Sequence, residues 1–141
     1  MRASRALLGV VARSLAPVLE QASLPQFRVL VLLHGGPMRS GALAEYLGVH
    51  PSTFTRMADR LVSFGWVERQ EAPENRREVH VRLTPSGAEL VDQVMRRRRA
   101  AIAEILEPLD ETQRRSIRRG LETLAVAAGE PALEDLVTFG G

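Results

Sequence analysis

The residues best suited to do chemistry lie between Pro51 and Phe64, in the stretch PSTFTRMADRLVSF. Phe54, Met57, Ala58, Leu61 and Val62 recur at i, i+3, i+4, i+7 and i+8, the spacing of the inward stripe of a helix. The other face of that helix then carries Ser52, Thr53, Thr55, Arg56, Asp59 and Arg60. Short hydroxyl side chains near a helix N-terminus let the backbone approach a groove closely. One turn later, Arg56 has the planar fork that binds guanine O6 and N7 together. The exposed amides of the same terminus suit a phosphate. An ordinary solvated helix face is made of the same residue types, so the neighbouring elements have to decide.

The second feature is Glu71 to Glu78, EAPENRRE, between the apolar runs Trp66–Arg69 and Val79–Leu83. Val79, Val81 and Leu83 alternate with His80 and Arg82, the period of a half-buried strand. The two runs therefore read as a hairpin with Arg76 and Arg77 at its tip. A narrow minor groove concentrates negative potential, and arginine is the side chain that exploits it. The alternative is a turn kept in water by its charges, which Glu71, Glu74 and Glu78 favour. From residue 39 to residue 82 there are seven arginines and six acids, so this region is positive only at its tips.

Other chemistries find little support. With no cysteine, the chain has no disulfide, thiol switch or thiolate metal site. His34, His50 and His80 are scattered, and no metal is expected. No nucleophile–base pattern, phosphate-binding glycine loop or pair of carboxylates on an apolar helix face is present, so neither an enzyme nor a cofactor is implied. The formal charge is +2 while the pI is about 10.3, because every basic residue apart from the histidines is an arginine. That balance by itself settles no partner.

The elements that would position these residues follow from caps and periodicity. At 141 residues and 45% apolar composition the chain is expected to form one globular domain. It has no run of about 18 uncharged apolar residues, so no membrane span is expected. Arg13 interrupts the N-terminal apolar run, and Leu7, Leu8, Val11, Leu15 and Leu19 recur at helical spacing. This predicts an amphipathic helix of a cytoplasmic protein rather than a signal peptide. Ser23, Pro25 and Gln26 form a capping box that opens a second helix, which Gly35-Gly36-Pro37 closes. Ser40 is expected to cap a short helix carrying Leu43, Ala44 and Leu47 and stopped by Gly48. Pro51 then starts the helix described above, and Gly65 ends it. Two helices joined by a tight glycine turn make a helix-turn-helix, and a hairpin directly after it makes a winged helix. Thr84-Pro85-Ser86-Gly87 leads into a long helix, broken at Pro108, that includes the four consecutive arginines Arg96 to Arg99. One or two of these are expected to meet acids across a dimer. Asp110 and Gln113 box the start of a last helix with Ile117, Leu121, Leu124 and Ala125 on one stripe.

The runs TRMADRLVSFGWVER and PENRREVHVRLTPSG, preceded by LPQFRVLVLLHGGP and LAEYLGVHPST, resemble the MarR family of bacterial transcriptional regulators over roughly residues 20 to 128. The resemblance implies a mainly α fold with a small β-hairpin wing, and a winged helix-turn-helix with intertwined dimerisation helices. Residues 1–22 and 85–128 would dimerise, 23–84 would bind DNA, and 129–141 would form a tail. The partners implied are a second copy and double-stranded DNA bearing a pseudo-palindromic operator, the two recognition helices lying about 34 Å apart. Repression relieved by a small anionic aromatic ligand is also implied, in a pocket to which Arg28 or His34 contributes. DNA contacts are expected from Ser40, Ser52, Thr53, Thr55, Arg56, Arg60, Arg76 and Arg77. Arg77 matches the minor-groove arginine of the family's Asp-x-Arg wing motif, whereas Asn75 stands where that motif has Asp. Without cysteine, the peroxide-sensing branch of the family is excluded. The alternative is a winged-helix protein–protein module that has kept the fold and lost the DNA.

Overall fold

The computed structural model describes residues 1–71 and 79–130. In chain order the elements are α1 (Arg2–Leu19), α2 (Leu24–Leu33), β1 (Met38–Arg39), α3 (Ser40–Tyr46), α4 (Pro51–Ser63), β2 (Val67–Glu71), β3 (Val79–Leu83), α5 (Pro85–Leu106) and α6 (Glu111–Ala127). The chain is mainly α, with a small antiparallel sheet beside a helix-turn-helix formed by α3 and α4. α1 and α2 meet at a 94° bend. No single helix among the described residues is long and apolar enough to cross a membrane.

Local chemistry accounts for most boundaries. Ser23 accepts from the Gln26 amide while the Gln26 side chain accepts from the Ser23 amide, and Asp110 and Gln113 do the same for α6. Each such cap is worth about 1 kcal/mol. Thr84 caps α5 by accepting from the Gly87 amide at 3.1 Å, and its hydroxyl donates to the Gly65 carbonyl at 2.6 Å. α3 and α4 both end on left-handed glycines, Gly48 at φ 64° and Gly65 at φ 71°. Beyond them, Val49 donates to Ala44 and Trp66 to Leu61, closing each helix with a six-to-one bond. The helix-turn-helix turn is therefore set by Gly48 and by Pro51 two residues after Val49.

Three expectations need correction. Ser40 is the first residue of α3, not its cap; Arg39 holds the capping position and makes no side-chain cap bond. The reason is β1, a third strand that the sequence did not announce. Met38 pairs with Val81 and Arg39 with His80, so the residue before Ser40 is already held extended by the sheet. Strand order is β1-β3-β2, with β2 and β3 in register from Val67↔Leu83 to Glu71↔Val79. Second, Val62 is 39% exposed rather than inward, because it lies at the edge of the stripe while Phe54, Ala58 and Leu61 take its centre. Third, the face of α1 that packs is Val10, Ser14, Leu15 and Val18, whereas Leu7, Leu8 and Leu19 are exposed.

One core unites the elements around α4. Leu15 and Val18 of α1, Phe27, Leu30 and Leu33 of α2, Leu43 of α3, Val67 and Val81 of the sheet, and Val91 and Val94 of α5 enclose Phe54, Ala58 and Leu61. α6 contributes no buried residue; Ile117, Leu121 and Leu124 form its expected stripe and are exposed. Of the glycines, Gly87 has the tightest surroundings: a Cβ there would sit 2.0 Å from the Trp66 carbonyl oxygen. Backbone there has no side chain to move aside. Gly87→Ala is therefore expected to cost at least roughly 2 kcal/mol. In contrast, Gly41→Ala, whose Cβ meets nothing within 4 Å, should leave stability unchanged or raise it slightly. Urea unfolding midpoints of the two variants check both.

Candidate nucleic-acid interface

α4 begins at His50, held extended at φ −65° and ψ 144°. Its Nδ1 accepts from the Ser52 amide at 3.3 Å and lies 2.8 Å from Ser52 Oγ. The Thr55 hydroxyl donates to the Pro51 carbonyl at 3.0 Å. Because Phe54, Ala58 and Leu61 are buried, the 100° step of the helix turns Ser52, Thr55, Arg56, Asp59 and Arg60 outward, and all five are exposed. Thr53 is half-buried at the flank, and Ser40 is half-buried in the first turn of α3. Arg76 and Arg77, like Asn75, lie outside the described residues.

Charge is distributed unevenly over this face. Arg56 and Arg60 have no carboxylate partner among the described residues; the Arg60 guanidinium lies 5.5 Å from the centre of the Phe64 ring. By contrast, the cations at the base of the hairpin are neutralised. Arg82 pairs with Glu68 across the strands, and Arg69 pairs with Asp59 at 2.7 Å.

Arg69 is the positioning residue that the sequence reading missed. It also donates to the Thr55 carbonyl at 3.2 Å, so one guanidinium ties β2 to the side of α4. A signal was present: Arg69 is two residues from the buried Val67, in phase with the inward side of the strand.

A groove of about 620 Å³ runs along the opposite flank of α4, between Thr53, Arg56, Met57 and Arg60 and the α1–α2 corner formed by Leu19, Gln21, Ala22, Ser23 and Gln26. Arg28 and His34 do not line this groove. Arg28 is 3.4 Å from Glu130 and lies over the Tyr46 ring, while His34 meets Asp92 at 3.0 Å.

The four arginines of α5 have separate fates. Arg96 pairs with Glu89 of its own helix at 2.7 Å, and that contact holds the Glu89 carboxyl below its ordinary range. Arg98 is half-buried, its Nε 3.3 Å from the buried Ser14 hydroxyl, and burial lowers its pKa. Arg97 and Arg99 are exposed.

A helix-turn-helix with its second helix outward, flanked by a three-stranded wing, defines a winged-helix DNA-binding protein. The MarR family pattern matches residues 22–79. Mb0904 from Mycobacterium bovis, an uncharacterised HTH-type transcriptional regulator, is 35% identical over 109 residues, 77% of this chain and 76% of that protein. The crystal structure of RV1404 from Mycobacterium tuberculosis superposes with a TM-score of 0.83 at 42% identity, covering 93% of this chain and 90% of that one. Wild-type MarR from E. coli in its apo form gives a TM-score of 0.64 at 28% identity, over 82% and 85% of the two chains. The chain belongs to the MarR family and is a DNA-binding transcriptional regulator.

Replacing Arg69 tests its role in joining the sheet to α4. Its side chain is 35% exposed and that of Asp59 is 56% exposed, so solvent screening limits the ion pair. Arg69→Ala is expected to lower stability by about 1 kcal/mol. Arg69→Lys should recover only part of that, since an ammonium lacks the fork that reaches both Asp59 and the Thr55 carbonyl. Thermal unfolding of the two variants distinguishes these outcomes.

Proposed function

We propose that the chain is a homodimeric repressor that grips a pseudo-palindromic operator and lets go when a small anionic aromatic ligand binds. The observation that carries this reading is the outward face of α4, where Ser52, Thr55 and Arg56 are exposed and Arg56 has no acidic partner among the described residues. In the complex α4 lies in the major groove, with Ser52, Thr53, Thr55, Arg56 and Arg60 toward bases and phosphates and Ser40 toward the backbone. Arg76 and Arg77 at the hairpin tip take the neighbouring minor groove.

Residues 1–22 and 85–128 form the dimerisation part, residues 23–84 the DNA-binding part and residues 129–141 a tail. Support comes from α6. An isolated 17-residue helix is marginal in water, yet α6 buries nothing, and Ile117, Leu121 and Leu124 are 38%, 43% and 61% exposed. A second copy would cover that stripe and the exposed Leu7 and Leu8 of α1. Ligand release is supported by the groove beside α4. Arg56 and Arg60 there offer cations to a carboxylate, Leu19 and Met57 offer apolar surface to a ring, and occupancy would engage two arginines that the DNA needs.

Selection of bound duplexes from a random pool is the direct test, because it returns half-site, spacing and symmetry together. Arg56→Ala should then relax the preference at one base pair per half-site and weaken operator binding by roughly 1–3 kcal/mol. Arg77→Ala should weaken binding to every sequence and reduce the salt slope by about one. An Arg56→Ala protein with unaltered affinity and preference would remove the recognition-helix assignment. For the assembly, Leu121→Glu with Leu124→Glu should convert a dimer to monomer in analytical ultracentrifugation; a wild-type monomer at micromolar concentration would rule the dimer out.

A further inference from the structure

The hydrogen bonds at the start of α4 have a direction, and that direction limits what the helix can read. A backbone amide can only donate, so the 3.3 Å contact from the Ser52 amide makes His50 Nδ1 an acceptor. That nitrogen therefore carries no proton. Ser52 Oγ lies 2.8 Å from the same Nδ1. An unprotonated ring nitrogen has no proton to give, so the serine hydroxyl is the donor. Thr55 is in the same state, its hydroxyl proton directed to the Pro51 carbonyl at 3.0 Å. A hydroxyl carries one proton and two lone pairs. Both exposed oxygens consequently present lone pairs alone, while Arg56 beside them presents N–H donors alone.

With their protons so committed, such oxygens do not donate to a phosphate oxygen, a thymine O4 or a guanine O6, all of which need a donor. In the major groove only adenine N6 and cytosine N4 offer N–H groups. We infer that His50 sets the hydrogen-bond polarity of Ser52, so that Ser52 reads the exocyclic amine of an adenine or cytosine. His50 is here a positioning residue: it acts through the serine hydroxyl. Thr55 shares that polarity through Pro51, independently of His50. The inference rests on the proposed entry of α4 into the major groove, and adds the class of base it finds there.

The test uses the full chain and the operator recovered by duplex selection. At the base pair whose preference Ser52→Ala relaxes, wild type should select adenine or cytosine on the contacted strand. Replacing that base by purine or by 2-pyrimidinone removes only the amine; this should weaken wild-type binding about fivefold and Ser52→Ala binding less than twofold. His50→Ala frees the serine proton and should bring duplexes with thymine or guanine at that position within about threefold of the best site. His50→Asn supplies an acceptor oxygen at a favoured capping position and should restore the wild-type preference. Should His50→Ala fail to fold, the amine deletions in wild type and Ser52→Ala decide alone. Two results overturn the inference with groove entry intact: Arg56→Ala relaxes its own base pair while Ser52→Ala relaxes none, or the amine deletion leaves wild-type binding unchanged. If neither Arg56→Ala nor Ser52→Ala alters any preference, groove entry itself fails.

Discussion

The burial of three side chains, Phe54, Ala58 and Leu61, governs the rest of this molecule. Each is 2% exposed or less, and they belong to one buried cluster with side chains from α1, α2, α3, the sheet and α5. A helix committed to the core on one stripe has no freedom left about its own axis. Its opposite face, with Ser52, Thr55 and Arg56, must then point to water. Two left-handed glycines and a proline fix where that helix starts and stops, and Gly87 admits the Trp66 carbonyl so that α5 can close the core behind it. Presentation of the reading face is thus a consequence of packing.

Electrostatics act on a smaller scale than the composition suggests. A pI of about 10.3 arises from arginines that are in good part spoken for: Arg69 by Asp59, Arg82 by Glu68, Arg96 by Glu89, Arg28 by Glu130. These exposed pairs contribute little stability each, but they remove positive charge from the base of the wing and the flank of α5. Of the others, Arg56 and Arg60 lie on the outward face of α4, and Arg97 and Arg99 are exposed on α5. Placement, more than net charge, decides where positive charge meets solvent.

Much of this was legible in local sequence. The two capping boxes, the glycine ends of α3 and α4, the period-two run of β3 and the buried centre of the α4 stripe all depend on residues within one or two turns of each other. The misreadings share a cause. Strand β1 is two residues long and exists only because β3, some forty positions on, offers it partners; that same pairing moved the capping position of α3 from Ser40 to Arg39. Val62 and Leu7 are apolar at plausible spacing, but which edge of a stripe is covered depends on the neighbour that packs there. The link from Arg69 to Thr55 and Asp59 spans two elements, and Arg98 meets Ser14 across 84 positions.

The sequence by itself determined the helices, the two hairpin strands, the winged order of elements and the face of α4 that would be polar, because caps, turns and periodicity are short-range physics. Only the tertiary structure decided which cations are neutralised, where an open groove forms, and that α6 finds no cover among the described residues. Those outcomes depend on distances between elements, and such distances are set by how side chains from remote parts of the chain fill one shared core.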